Sequence, residues 1–155
     1  MALTLVDTNG NKMSGVKVTG FVENEVYSDD NGIAKGYIVV GGATLRVSGY
    51  ADISDNSITI TAKSGEFITN SLTLTTNNFL QITSSKSYMF SPSVQFIDVS
   101  IVGAGGGRGG GAGEDQGYSR SGGGGGAGDV QELVNFVPNS TIAYTIVVGA
   151  GGSGG

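Results

Sequence analysis

The chain has 155 residues, with 13 Asp and Glu against 8 Lys and Arg, a formal net charge of −5, and no His, Cys or Trp. This composition excludes disulfide staples and Ser-His-Asp or Cys-His catalysis, and leaves no ligand set for zinc or an iron–sulfur cluster. The few basic residues are scattered, so no patch awaits nucleic acid, and no stretch approaches the ~20 apolar residues of a membrane span.

From the N-terminus, Leu3 and Leu5 alternate with Ala2 and Thr4, and Asp7-Thr8-Asn9-Gly10-Asn11 is a turn cluster. Val16 and Val18 begin a run ending near Phe21, Val26–Ser28 is short, and Asp29-Asp30-Asn31-Gly32 turns the chain again. Runs follow at Ile33–Val40, at Leu45 and Val47, at Ile58 and Ile60, at Phe67–Leu74 and at Phe79–Thr83. Period-2 patterning with turns every ~8–12 residues predicts an antiparallel β-sandwich over residues 1–84. Asp29, Asp30 and Asn31 read as a tight turn, since the oxygen spacing of an EF-hand loop is missing. Asp52, Asp55 and Asn56 read the same way. Tyr27, Tyr37 and Tyr50 read as half-buried strand residues more readily than as a glycan-binding face.

Composition changes sharply after this point. Of 29 glycines, 20 lie between Gly103 and Gly155, so residues 85–155 form a second, glycine-rich domain. Tyr88–Pro92 leads in, and Val94–Val102 is a strand in which Ile97, Val99 and Ile101 share a face. The strand runs straight into a glycine tract, a polar tip at Glu114–Ser121, and a second tract up to Gly128. Val130–Val137 and Thr141–Val148 are further strands, separated by Pro138-Asn139-Ser140, and a third tract closes at Gly155. A flexible linker would not be punctuated by anchoring strands and a single polar tip. The expected alternative is packed polyglycine II helices, whose main-chain groups bond to neighbouring helices because no side chain intervenes. A dinucleotide fingerprint at Gly103-x-Gly105 fails, with Arg108 in place of the third glycine and no following helix.

Two resemblances rest on these residues. Asp7-x-x-Gly10, Gly15-Val16-x-Val18, Asp29-x-x-Gly32 and Leu45-x-Val47-Ser48-Gly49-Tyr50 resemble the carboxypeptidase-regulatory-like and bacterial Ig-like families. That implies an Ig-like β-sandwich that spaces or displays, without catalytic residues; the sequence departs at Ser28, where those families usually carry Thr. Phe90-x-Pro92-x-Val94-x-x-Ile97-Asp98-Val99-x-Ile101-Val102-Gly103-Ala104-Gly105-Gly106 and Tyr144-Thr145-Ile146-Val147-Val148-Gly149-Ala150-Gly151-Gly152 resemble the glycine-rich module of bacteriophage tail-fibre and adhesin proteins. That family implies polyglycine II helices packed side by side, with tip loops that touch a host receptor.

The resulting expectation is an all-β, non-enzymatic virion structural protein of the tail, fibre or baseplate, made in the host cytoplasm and taking part in host attachment. Capsid decoration, a head fibre or a bacterial surface role are the alternatives. The expected receptor contacts are Glu114, Asp115, Gln116, Tyr118, Ser119 and Arg120, with Tyr118 and Arg120 as anchors because those residue types dominate binding hot spots. Expected partners are other virion proteins, copies of the chain as a homotrimer, and a host receptor or glycan, with no cofactor, metal, nucleic acid or membrane insertion. Glu66 and Glu132 have no evident carboxylate partner for glycoside hydrolysis. The glycine pattern runs to Gly155 without closing strands, so the module is expected to continue further or to be completed by another chain.

Overall fold

Strands dominate wherever Val, Ile, Thr and Leu alternate with polar residues. The computed structural model describes residues 1–106, 126 and 128–150, and among these no helix forms. The protein is all-β. Its contacts divide it into two compact units, one of Met1–Gln95 with Val137–Ile146, the other of Phe96–Phe136 with Val147–Gly155.

In the first unit, β1 (Ala2–Asp7) is flanked by β4 (Ile33–Lys35) and β7 (Thr69–Leu74), giving a three-stranded sheet in the order β4-β1-β7. A second sheet runs β3-β2-β5-β6, from β2 (Lys17–Phe21), β3 (Asn24–Tyr27), β5 (Ala43–Val47) and β6 (Asn56–Ile60). Inward residues of both sheets form one core: Leu3, Leu5, Ala34, Leu72 and Leu74 from the first, Val18, Phe21, Leu45, Val47 and Ile60 from the second. Each fully buried aliphatic side chain contributes about 1.5–3 kcal/mol, so this shared core is what holds the two layers together. Met13, Val16, Tyr50 and Ile53 extend it from the loops.

Turn chemistry behaves as its residues demand. Asp29 Oδ1 accepts the amides of Asn31 (2.9 Å) and Ile33 (3.0 Å), and Gly32 adopts φ +70°. Gly20, at φ +102°, sits where β2 meets β5; a Cβ there would lie 2.2 Å from the Thr44 carbonyl oxygen.

Several strand expectations need correction. The sandwich is not purely antiparallel: β1 and β7 run parallel, from Ala2 opposite Thr69 to Asp7 opposite Leu74. A parallel pair needs a long crossover, and here the intervening chain supplies it by building the other sheet. The run at 33–40 stops at Lys35, where the chain departs the ladder and leaves Val39 and Val40 64% and 65% exposed. Residues 79–83 form no strand, and Phe79 is 82% exposed.

The strand after the first module is instead β8 (Lys86–Tyr88), within what the sequence presents as a lead-in. It pairs antiparallel with β11 (Tyr144–Ile146), which is shorter than the expected 141–148 run. Ser87 and Thr145 hydroxyls meet at 2.8 Å across this pair, and the Phe90 and Tyr144 rings meet edge to face at 5.7 Å. The β8 segment is tied to the sandwich. Met89 exchanges backbone bonds with Gly49 and Ala51 at 2.9 Å each, and Asp52 accepts from Ser91 through both carboxylate oxygens.

In the second unit, β9 (Ile97–Val102) pairs antiparallel with β10 (Val130–Phe136). The register slips between Leu133 and Phe136, where Asn135 takes φ +57° and its amide donates to Asp98 Oδ1 at 2.8 Å.

Candidate functional site

The second unit carries the glycine tracts, and its informative geometry lies where β9 and β10 hand over to them. The regular ladder ends at Val102 opposite Val130. Main-chain pairing does not end there. The Gly103 amide donates to the Asp129 carbonyl at 2.7 Å, and the Gly106 amide donates to the Gly126 carbonyl at 2.9 Å. Asp129 anchors the return strand, its carboxylate accepting the Val130 amide at 2.9 Å and the Gln131 side-chain amide at 2.6 Å.

Glycine is required here by proximity. A Cβ on Gly128 would stand 1.7 Å from the Gly103 carbonyl oxygen, and one on Gly105 would stand 3.2 Å from the Gly126 carbonyl oxygen. Real side chains do not fit at the first distance and fit tightly at the second. Neither Gly103 nor Gly105 has positive φ, so the demand is for close backbone approach and not for a left-handed turn. At these residues, neighbouring main chains bond directly where side chains would otherwise separate them.

The expected receptor contacts Glu114, Asp115, Gln116, Tyr118, Ser119 and Arg120 lie outside the described residues. The other residues weighed from sequence are placed individually. Tyr50 is buried, and its hydroxyl oxygen accepts the Lys17 amide at 2.8 Å. Burial raises its pKa above the ordinary tyrosine value, and nearby Tyr27, Asp52 and Glu25 push the same way against the lowering effect of the Lys17 amide. Tyr27 and Tyr37 are 53% and 76% exposed, on the sheet edge and on the loop after β4. Asp52 and Asp55 do not converge on a common point: the first holds Ser91, the second accepts the Gly49 amide at 3.0 Å. Asn56 instead bridges towards β7, donating to the Thr73 carbonyl at 2.8 Å. Asp7 caps its own turn, accepting from the Asn11 side chain and from the Asn9 and Asn11 amides, all at 2.8 Å, and these bonds lower its pKa. Glu66 accepts the Lys63 amide at 3.2 Å in a local turn.

Two structural residues escaped the sequence reading. Ser28 is buried, with its hydroxyl donating to the Met13 carbonyl at 2.7 Å and accepting the Val16 amide at 2.9 Å. Ser91 is 1% exposed and bound to Asp52. Serine beside a turn or a proline carries no local sign that it will be buried.

No curated protein matches the chain. Residues 81–155 match the family model of a glycine-rich domain, so the chain carries such a domain over its second half, and the β9–β10 handover described above is part of it.

Proposed function

We propose that the chain is a non-enzymatic structural protein of a bacteriophage virion, in the tail, fibre or baseplate apparatus, that contributes to host attachment by displaying its glycine-rich module as a stiff element. The observation that carries this reading is the spacing of the bonds beyond the β9–β10 ladder. Donors fall three residues apart, at Gly103 and Gly106, and acceptors three apart, at Asp129 and Gly126. A strand repeats every two residues; a polyglycine II helix repeats every three and leaves all its main-chain groups for its neighbours. In this reading the glycine tracts continue as polyglycine II helices packed side by side. The N-terminal sandwich is an Ig-like spacer, and the polar tip at 114–121 meets the host surface. The virion assignment itself comes from the resemblance of the glycine-rich half to phage fibre modules. Partners are other virion proteins, copies of the chain arranged as a trimer, and a host receptor or glycan.

The test is location. Particles purified from the phage encoding the chain should contain it by peptide mass spectrometry, and gold-labelled antibody should decorate the tail. Purified chain should compete with particles for adsorption to the host. Label on the head would move the protein to a capsid-decoration role, and absence from particles would end the virion reading.

A further inference from the structure

The two faces of the β9–β10 ribbon are chemically unlike. Phe136 lies opposite Ile97, Leu133 opposite Val99 and Gln131 opposite Ile101. Because side chains alternate across a strand and paired residues share a side, these six stand on one face. The other face carries Asp98, Ser100, Val102, Val130 and Glu132. The first face holds no charge, and Gln131 is its only polar member. Its middle is open to solvent, with Ile101 59% and Leu133 50% exposed, while Ile97, Val99 and Phe136 are half-buried.

We infer that this apolar face is where copies of the chain meet. The inference rests on the self-association contained in the proposed function and extends it by naming the surface. Three observations favour a second copy as the occupant. An isolated two-stranded ribbon is at best marginally stable in water, so an exposed apolar side on one is a surface in want of cover. Copies each carrying a net charge of −5 repel, and a symmetric contact brings the same patch against itself. The face that meets must therefore be the neutral one, and the ribbon's carboxylates, Asp98 and Glu132, sit on the opposite side. Finally, the same two strands continue into glycine main chains that already bond laterally at Gly103 and Gly106, so a neighbouring copy meets both the side-chain face and bare backbone beyond it. One ribbon face is small beside the roughly 800 Å² per partner of a stable interface, so the association is concentration-dependent.

Sedimentation velocity on the full chain, across roughly 5–200 µM at moderate salt, tests this. The wild-type chain should reach a multiple of 15.6 kDa within that range. Ile101→Lys and Leu133→Lys should each weaken association by at least tenfold, while Val102→Lys, on the opposite face, should associate as the wild type does. Ile101→Gln, neutral and similar in size, should weaken association in the same direction and guards against misfolding of the lysine variants; far-UV circular dichroism checks each. A wild-type chain that stays monomeric at the highest concentration overturns the inference. So does undiminished association of Ile101→Lys and Ile101→Gln, or equal disruption by Val102→Lys. Incorporation into particles is measured separately, so a monomeric chain found in virions would sink this interface and leave the attachment reading standing.

Discussion

A methyl group on Gly128 would stand 1.7 Å from the carbonyl oxygen of Gly103, closer than any real contact. The main chains on the two sides of the glycine handover therefore touch without side chains between them, and the Gly103 amide reaches the Asp129 carbonyl at 2.7 Å.

Gly128→Ala should accordingly force the two chains apart. Overpacking of this kind costs about 1–3 kcal/mol, and the loss should stay local to the second unit. Amide hydrogen exchange reads it: protection at Gly103 and Gly106 should fall by at least an order of magnitude, with the β1 and β5 amides unchanged. Gly149→Ala is the control, since a Cβ there meets nothing within 4 Å; it should be neutral or slightly stabilising. Equal effects from the two substitutions would remove the close-approach argument.

Ser91 and Asp52 make the next testable contact. The Ser91 amide donates to Asp52 Oδ1 at 2.9 Å and its hydroxyl to Oδ2 at 2.5 Å, while Ser93 Oγ lies 2.6 Å from Ser91 Oγ. Since the Ser91 proton goes to the carboxylate, Ser93 is the donor to Ser91. Hydrogen bonds to charged groups are worth about 1.5–3 kcal/mol, so Ser91→Ala should lower the stability of the first unit by that order. Ser93→Ala, at an exposed position, should change it by less than about 0.5 kcal/mol. Urea unfolding followed by circular dichroism distinguishes them, and a neutral Ser91→Ala would show that the contact contributes nothing net.

The buried Tyr50 predicts an alkaline limb. Its pKa is raised in the folded chain by burial, first of all, whereas the unfolded chain releases this proton near the ordinary value of about 10. As pH climbs through that value the folded state holds more protons than the unfolded state, so stability falls; below it the contribution is constant. Tyr50→Phe removes the acceptor for the Lys17 amide and should cost about 1–3 kcal/mol at pH 7. It should also flatten the decline between roughly pH 9 and 11. An unchanged alkaline slope in the variant would mean that Tyr50 does not titrate as its burial implies.

What residues decide among themselves was readable from the chain. The alternation of Leu3 with Leu5 and of Leu45 with Val47 marked inward faces, and both pairs are buried. The Asp29–Gly32 turn formed as its side-chain oxygens and glycine require, and the glycine-rich half matches a glycine-rich domain. These features depend on neighbours a few residues away, whose steric and hydrogen-bonding preferences act before any long-range contact exists.

The tertiary structure alone decided that β1 lies parallel to β7, that residues 79–83 stay out of the sheets while 86–88 join β11, and that Ser91 closes on Asp52 thirty-nine positions away. It also decided which glycines are sterically required, for Gly128 and Gly149 look alike in sequence and differ only in what stands beside them. Such choices turn on which distant surfaces fit and which loops can close. That information is spread over the whole chain and leaves no mark on the residues where it is finally expressed.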